Sequence, residues 1–375
     1  MKVFKFYEKL LKGELLDLPT PTNLNFWFGL GVSLGVVYIM QVVSGVVLSF
    51  YYSVGLSGGF WPVVGIMQDV WGGWFVRFTH SSGASIFMLL IYLHLLRGFL
   101  YGSFKKTGVW ISGVLVMLVV MGVSFLGYVL PWGSMSYWGM TVVISMLGAI
   151  PLVGETIMGA LWGGPTAGVH SLSRFFSLHY MSSLVVMVVV VAHLIELHRK
   201  GSSNPLGVMS DLDKVVFMGL FVIKDASGLL YLLLLYWVVV LVCPYSLMDV
   251  ANFEEVSFVV TPTHIKPEWY FLFAYCILRA VPSKLGGVVL MFLSVLIMLI
   301  FGFSRGVSPY RAIGGWLYKG LMVSWVSVFL LLTWLGGSSA ETPYDTLGQV
   351  FTVAYFLALM GMFTVLIVDV ESSRW

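Results

Sequence analysis

Eight stretches of the chain are apolar over the thickness of a bilayer: about 26–51, 72–101, 109–130, 169–197, 226–243, 285–304, 317–336 and 346–368. A backbone inside hydrocarbon has to satisfy its own N–H and C=O groups, so these stretches predict packed helices in lipid. The fold class expected is an all-α polytopic membrane protein with eight transmembrane helices. The 375 residues are 59% hydrophobic and 10% charged, with a mean hydropathy of +0.95, which excludes a soluble domain and gives no reason to expect a nucleic-acid partner. The opening MKVFKFYEKLLKGELLDLP is an amphipathic basic segment without a cleavage pattern, and is expected to stay in the mature chain. An even number of spans puts both termini on one side. Of the 20 Lys and Arg residues, five (Arg77, Arg174, Lys266, Arg279 and Lys284) fall on the other side, which leaves fifteen on the side of the termini. Among the fifteen are Lys2, Lys5, Lys9, Lys12, Lys105, Lys106, Arg199, Lys200, Lys214, Lys224, Arg305 and Arg311. The positive-inside rule then places both termini in the matrix or cytoplasm.

Two of these spans carry paired histidines. His80 and His94 lie in 72–101, and His179 and His193 lie in 168–198. Each pair is fourteen residues apart, just under four helical turns, so its two rings point nearly the same way about 21 Å apart. Side by side, the two helices would set His80 against His179 and His94 against His193. Ionisable groups at membrane depth are costly and usually functional. Two imidazoles per level suit a six-coordinate haem iron with no open position, an electron carrier. Zinc competes for histidine but wants three or four close ligands, and each level offers two. The two cysteines, Cys243 and Cys276, form no C-x-x-C-H, so a haem here is held without thioether links.

The neighbouring spans repeat the spacing. Gly31 and Gly45 lie fourteen apart in the first span, and Gly113 and Gly127 in the third. A residue without a side chain lets the edge of a flat macrocycle approach the backbone, although small residues also serve helix packing. Arg77 lies three residues before His80, and Arg97 three after His94. Each sits about a turn toward its own membrane surface, where it can pair with an anionic propionate or snorkel at a helix end. Two long connections lie on the His80/His179 side. Residues 131–168 are apolar but broken by Gly and Pro, which predicts one or two short interfacial helices. Residues 244–284 hold Pro244, Pro262, Pro267 and Pro282. Irregular backbone near membrane depth lines cavities, so a substrate pocket is expected there.

The chain resembles the cytochrome b family over essentially its whole length. The resemblance rests on the two histidine pairs, GYVLPWGSMSYWG at 127–139, HIKPEWYFLFAYCILRAVPSKLGG at 264–287, SNPLG at 203–207 and IKD at 223–225. The unsplit chain and the fourteen-residue spacing are similar to the mitochondrial and bacterial bc1 branch rather than b6, and the short termini favour mitochondria. The resemblance implies a haem-binding four-helix bundle from the first four spans, within an N-terminal region 1–206 with interfacial helices at about 131–168. Residues 207–375 would form a C-terminal quinone-pocket and anchor region. It implies two non-covalent b haems, a low-potential one on His80 and His179 and a high-potential one on His94 and His193, with a ubiquinone-type substrate. Glu268, within Pro267-Glu268-Trp269-Tyr270, would take a proton from quinol, with Tyr128, Gly139 and Tyr275 shaping that pocket. His198, Lys224 and Asp225 would line a quinone-reducing pocket on the matrix side. The implied activity is quinol–cytochrome c reduction coupled to proton translocation across the mitochondrial inner membrane. The implied partners are a Rieske iron–sulfur protein, cytochrome c1, other complex III subunits and a second copy of the chain. Three places depart from the family: Val32 where a polar residue is common, 165–172 with His170, for which no role is read, and 251–260.

Two other functions fit the spans and the histidines. One is the dihaem anchor of another membrane oxidoreductase, which would lack the 267–270 motif. The other is a proton-coupled transporter using histidines as a relay, which would carry no chromophore.

Overall fold

The computed structural model describes residue 13 and residues 17–55, 58–207, 210–304 and 315–372. The basic start of the chain, with Lys2, Lys5, Lys9 and Lys12, and the residues Arg305 and Arg311 lie outside the described residues. Among the described residues eight helices are long and apolar enough to cross a membrane: Phe26–Ser49, Gly73–Leu100, Thr107–Val129, Val169–Lys200, Leu220–Val242, Lys284–Phe303, Trp316–Gly336 and Tyr344–Val368. These are the eight spans read from the sequence, with ends moved by a few residues.

We label the α-helices in chain order as α1 (Leu30–Ser49), α2 (Phe60–Gln68), α3 (Gly73–Leu100), α4 (Thr107–Val129), α5 (Ser134–Leu147) and α6 (Gly154–Trp162). They continue as α7 (Val169–Lys200), α8 (Leu220–Val242), α9 (Leu272–Ala280), α10 (Lys284–Leu296), α11 (Trp316–Gly336) and α12 (Tyr344–Ser372). A 3-10 turn (Phe26–Gly29) leads into α1, and α10 tightens into 3-10 over Ile297–Phe303 to complete the sixth span. The broken stretch 131–168 becomes α5 and α6, as its Gly and Pro interruptions predict.

Local chemistry sets the helix ends. Gly72 before α3 and Gly102 after it both sit at positive φ, +70° and +64°. A side chain would strain either position, so glycine bounds this histidine-bearing helix at both ends. At the end of α7, Lys106 Nζ donates to the carbonyls of Lys200, at 3.0 Å, and Gly201. A cation there satisfies carbonyls that have no intrahelical partner and complements the helix dipole. Arg279 does the same for α11, donating to the carbonyls of Ser338 at 2.9 Å and Leu335 at 2.5 Å.

α1 packs against α3, and α4 against α7; α8 packs on α3, and α11, α12 and α9 pack on one another. Gly83 is what lets α3 be approached from two sides. A methyl there would run into Gln41 of α1 and the Tyr236 hydroxyl of α8. One buried apolar cluster runs from Leu30 through Met88, Trp110, Tyr236, Phe273 and Trp325 to Leu366. A second holds Trp132, Tyr137, Met140 and Ile144 against Leu172 and Phe175, fixing α5 over the start of α7. The loop 244–284 is pinned to α5, where Ser134 N–H donates to Glu254 O and Ser136 N–H to Asn252 Oδ1, both at 2.9 Å. Asn252 thereby caps the first turn of α5 from a distant part of the chain. Among the described residues one short ribbon falls outside an all-helical fold. Strands β1 (Pro19–Pro21) and β2 (Lys214–Val216) pair antiparallel and tie the lead-in of α1 to the α7–α8 connection.

Candidate functional site

α3 and α7 bring the His80 and His179 rings opposite one another, with ring centroids 6.1 Å apart and ring planes nearly perpendicular at 86°. Two metal–nitrogen bonds of about 2 Å each, with about 1 Å from nitrogen to ring centre on either side, make roughly 6 Å. The gap is therefore the one a single metal ion between two imidazoles requires. The ring nitrogens are prepared for it. His179 Nδ1 lies 2.9 Å from the carbonyl of Val123, and His80 Nδ1 lies 3.1 Å from the carbonyl of Gln41 and 3.1 Å from Ser44 Oγ. A carbonyl only accepts, so each Nδ1 carries the proton and each Nε2 is left with a free lone pair. Such a bond also fixes the ring and raises the basicity of the ligating nitrogen.

The second level uses the same parts. His193 Nδ1 lies 2.8 Å from Ser112 Oγ, whose own hydrogen is directed to the carbonyls of Gly108 or Val109. The hydroxyl is thus the acceptor, and His193 again presents Nε2. His94 is within electrostatic reach of His193, and its Nδ1 is buried without a partner among the described residues. Arg97, one turn beyond His94, donates to Ser103 Oγ at 3.2 Å and lies over the Phe28 ring at 5.0 Å. Among the described residues its Nε is buried without a partner and no carboxylate is in ion-pair range of it. A buried guanidinium with a donor to spare fits an anionic group supplied from outside the chain.

Each of the four glycines lies against one of the four imidazoles. A Cβ would come 2.5 Å from His179 Cε1 at Gly127, 2.9 Å from His80 Cε1 at Gly45, 3.1 Å from His193 Cε1 at Gly113 and 3.7 Å from His94 Cε1 at Gly31. The immediate neighbour is the imidazole rather than the macrocycle edge that the spacing alone suggests. Among the described residues no three His, Cys, Asp or Glu side chains cluster as a metal site, so a tetrahedral zinc has too few ligands.

The His80/His179 level opens into a cavity of 780 Å³ between α1, α3, α4, α7 and the loop 244–284. Arg77, Tyr128, Glu268 and Tyr270 line it together with both imidazoles. The Tyr128 hydroxyl is buried without a partner among the described residues. Burial pushes the Glu268 carboxyl up to about 7; Asp249 adds to the rise and the Arg77 guanidinium opposes it. A carboxyl poised there can take a proton near neutral pH. Asp249 is held by Lys266 at 3.2 Å. Pro267, Gly139 and Tyr275 do not line the cavity. Tyr275 instead donates to the Ile265 carbonyl at 3.1 Å, holding the loop that presents Glu268.

A second, small cavity of 50 Å³ lies at the other end of the bundle, lined by Asn25, Phe28, Ser33, Phe221, Lys224 and Asp225 among others. Asn25 donates to the Tyr101 hydroxyl at 3.0 Å, and Tyr101 follows α3 21 residues beyond His80, about 30 Å away. Lys224 Nζ donates to the Leu24 carbonyl at 3.2 Å. Gly29 admits Asp225, whose Oδ1 would be 2.7 Å from a Cβ at that position. His198 lies in the last turn of α7 and is not among the residues lining this cavity. Val32 is exposed on α1, and His170 is exposed in the first turn of α7.

The family model described as cytochrome b/b6/petB matches residues 15–201, and the one described as cytochrome b (C-terminal)/b6/petD matches 255–356. The chain belongs to the cytochrome b family. A cytochrome b of Leptorhynchoides thecatus is 53% identical over 359 residues, covering 96% of both chains. A cytochrome b of Brachionus plicatilis is 45% identical over 358 residues, covering 94% of each. Among solved structures, a chain of a hyperthermophilic respiratory complex III superposes with a TM-score of 0.90 at 27% identity, over 98% of both chains.

The residues of this chain fit b haems at both levels, on the paired imidazoles, the Nδ1 partners of His80, His179 and His193, the glycines behind the rings and the unpaired Arg97 Nε. Gln41, Ser44, Ser112 and Val123, which orient the imidazoles, are not singled out by any sequence pattern above. For two of them a signal exists: Ser44 and Ser112 each precede one of the spaced glycines. Asp249 is also missed, because it comes to Glu268 only through the fold of the 244–284 loop.

Proposed function

We propose that the chain is the dihaem, quinone-reacting subunit of a respiratory quinol–cytochrome c reductase. The observation that carries this reading is that a bis-imidazole pair 6.1 Å apart opens into the same 780 Å³ cavity as Glu268. Two bound haems, at His80/His179 and His94/His193, would supply a one-electron relay about 21 Å long. The four histidines hold the relay, their Nδ1 partners orient it, and Arg77 and Arg97 pair with anionic groups at its two ends. Quinol enters the large cavity, where Glu268 accepts one of its protons beside Arg77. One electron leaves to a Rieske iron–sulfur protein and thence cytochrome c1, and the other crosses the chain. At the small cavity the electrons that cross in two such turnovers, with two protons, reduce one quinone, with Lys224 and Asp225 at the pocket and His198 at the nearby end of α7 for proton supply. Release and uptake of protons at opposite ends, about 30 Å apart, build the gradient. The large cavity faces the intermembrane side, and both termini lie in the matrix of the mitochondrial inner membrane, in keeping with fifteen of 20 basic residues on that side. The working form is a homodimeric complex with further subunits.

The test is an absorption spectrum of the purified complex before and after reduction by quinol. Two b-type components and two haems per chain are expected. A complex with no chromophore returns the histidines to a proton relay in a transporter.

The glycine contacts predict a graded result. Gly127→Ala puts a methyl 2.5 Å from the His179 ring and is expected to abolish the His80/His179 haem signal. Gly31→Ala meets His94 at an ordinary 3.7 Å and is expected to keep both haems. Haem content and difference spectra of the two variants check the order; equal tolerance would sink the account of the glycines.

A further inference from the structure

We propose that Tyr92 is a positioning residue for Glu268, through a hydrogen bond that fixes the deep end of the turn on which Glu268 stands. The inference rests on the reading of Glu268 as the proton acceptor of quinol oxidation. Tyr92 lies on α3, twelve residues after His80 and two before His94. Its hydroxyl donates to the main-chain carbonyl of Tyr270 at 2.5 Å. Its ring is clasped edge-on by Trp269, Phe273 and Phe329, with centroids 6.5, 6.2 and 5.3 Å away. One side chain of the histidine-bearing helix is thus both packed into and bonded to the segment after Pro267.

The location of that bond gives it a role. Glu268 caps a one-turn 3-10 helix, Trp269–Phe271, in which Phe271 N–H donates to the Glu268 carbonyl at 2.9 Å. Among the described residues no side-chain hydrogen bond holds the Glu268 carboxyl itself. Its place in the cavity is therefore set by the main chain of this turn. The turn is fastened on both flanks. Upstream, the Tyr275 hydroxyl holds the Ile265 carbonyl and Lys266 holds Asp249. Downstream, Tyr270 is buried at 4% exposure and its carbonyl is held by Tyr92. A carbonyl has two lone pairs, so this tie does not compete with the helix that follows. The groups that face Glu268 come from separate elements: Arg77 from α3, Tyr128 from α4, Asp249 with its partner Lys266 from the loop, and Tyr270 from the turn. Displacing the turn carries Tyr270 with it but changes the distance of the carboxyl from Arg77, Tyr128 and Asp249, and so changes both its proton affinity and its reach toward substrate.

Tyr92→Phe keeps the ring among its three aromatic neighbours and removes only the donor. In the assembled complex, both haem spectra and both midpoint potentials are expected to stay at their wild-type values. Quinol oxidation is expected to slow roughly tenfold, short of the hundredfold that a 1 Å misplacement of a reacting group can cost. The rising limb of its pH profile is expected to move. In an E268Q background the same change should have no further effect on that limb, because the group through which Tyr92 acts is gone. A wild-type rate and limb in Y92F would overturn the proposal, and so would a shift of the His94/His193 potential with quinol oxidation unchanged, which would make Tyr92 a support of His94. A limb that survives in E268Q itself overturns the reading of Glu268, and the role of Tyr92 with it. A limb lost in E268Q but unmoved in Y92F overturns the role of Tyr92 alone.

Discussion

Replacing His193 with leucine is expected to remove the haem at His94/His193 and to leave the one at His80/His179 in place. The two levels are separated by about 21 Å of helix and share no ligand. His193 is oriented by Ser112 of α4, whereas His179, four turns away, is oriented by the Val123 carbonyl of the same helix. Leucine fills much of the volume of the imidazole and suits the lipid-depth helix, so α7 keeps its packing on α4. What is lost is a ligand lone pair, and one imidazole with a partnerless Nδ1, that of His94, cannot hold a six-coordinate iron alone. Redox titration of the purified variant should show one b-type component where the wild type shows two, and haem content should fall from two to one per chain. The surviving signal is the internal control for folding. Loss of both components together, in protein that is otherwise assembled, would mean that the levels are not independent. The reciprocal variant, His179→Leu, should leave only the other component.

Whether a residue can be read in the sequence depends on whether it acts by its identity or by its main chain. The histidines are legible because an ionisable group stands out in an apolar span, and core packing alone gives no reason for a fourteen-residue repeat on two spans. The glycines are legible by the same repeat, but their neighbours are not. The spacing says that something flat approaches, and only packing shows that the nearest flat object is an imidazole of the adjacent helix. The Nδ1 acceptors at Gln41 and Val123 are illegible in principle, since they are carbonyls and every residue has one. Tyr275 is expected from its motif to wall the quinol pocket; its hydroxyl instead holds the backbone at Ile265. That distinction depends on where a loop with several prolines turns, which no periodicity encodes. The β1–β2 ribbon pairs residues nearly two hundred apart, and prolines at both ends of β1 hide it from any strand pattern. Glu268 lies between these cases. A lone acid in a loop reads as a solvated surface group, and only its motif marks it; the fold then buries it.

Glu268→Gln is expected to slow quinol oxidation by roughly ten- to a hundredfold, at or below the lower end of what general acid–base groups contribute, while both haems bind with normal spectra. Glutamine keeps the size and hydrogen-bonding capacity of the side chain and removes the titrating proton site. In the wild type the carboxyl is pushed up to about 7 by burial and by Asp249, against the pull of Arg77. A base works in its ionised form, so the rate should rise with pH through about 7 and level off above it. In the variant this limb should disappear and the residual rate should be flat over the same interval. The sign for stability is opposite. A carboxyl whose folded-state pKa is raised costs the fold increasingly as pH climbs from its unfolded value of 4.5 toward 7, and the full cost remains above that. The glutamine variant should therefore hold its haems at alkaline pH at least as well as the wild type. A slow variant with ordinary haem retention thus points to lost chemistry rather than a loosened site. The reaction at the small cavity should be untouched, because Lys224 and Asp225 lie about 30 Å from this end of the bundle. Steady-state quinol oxidation measured across a pH series, beside a separate assay of quinone reduction at the other site, decides the matter. An unchanged rate with an unchanged limb would move Glu268 from proton acceptor to cavity wall, and Tyr128, whose buried hydroxyl lines the cavity and has no partner among the described residues, would be the next acceptor to test.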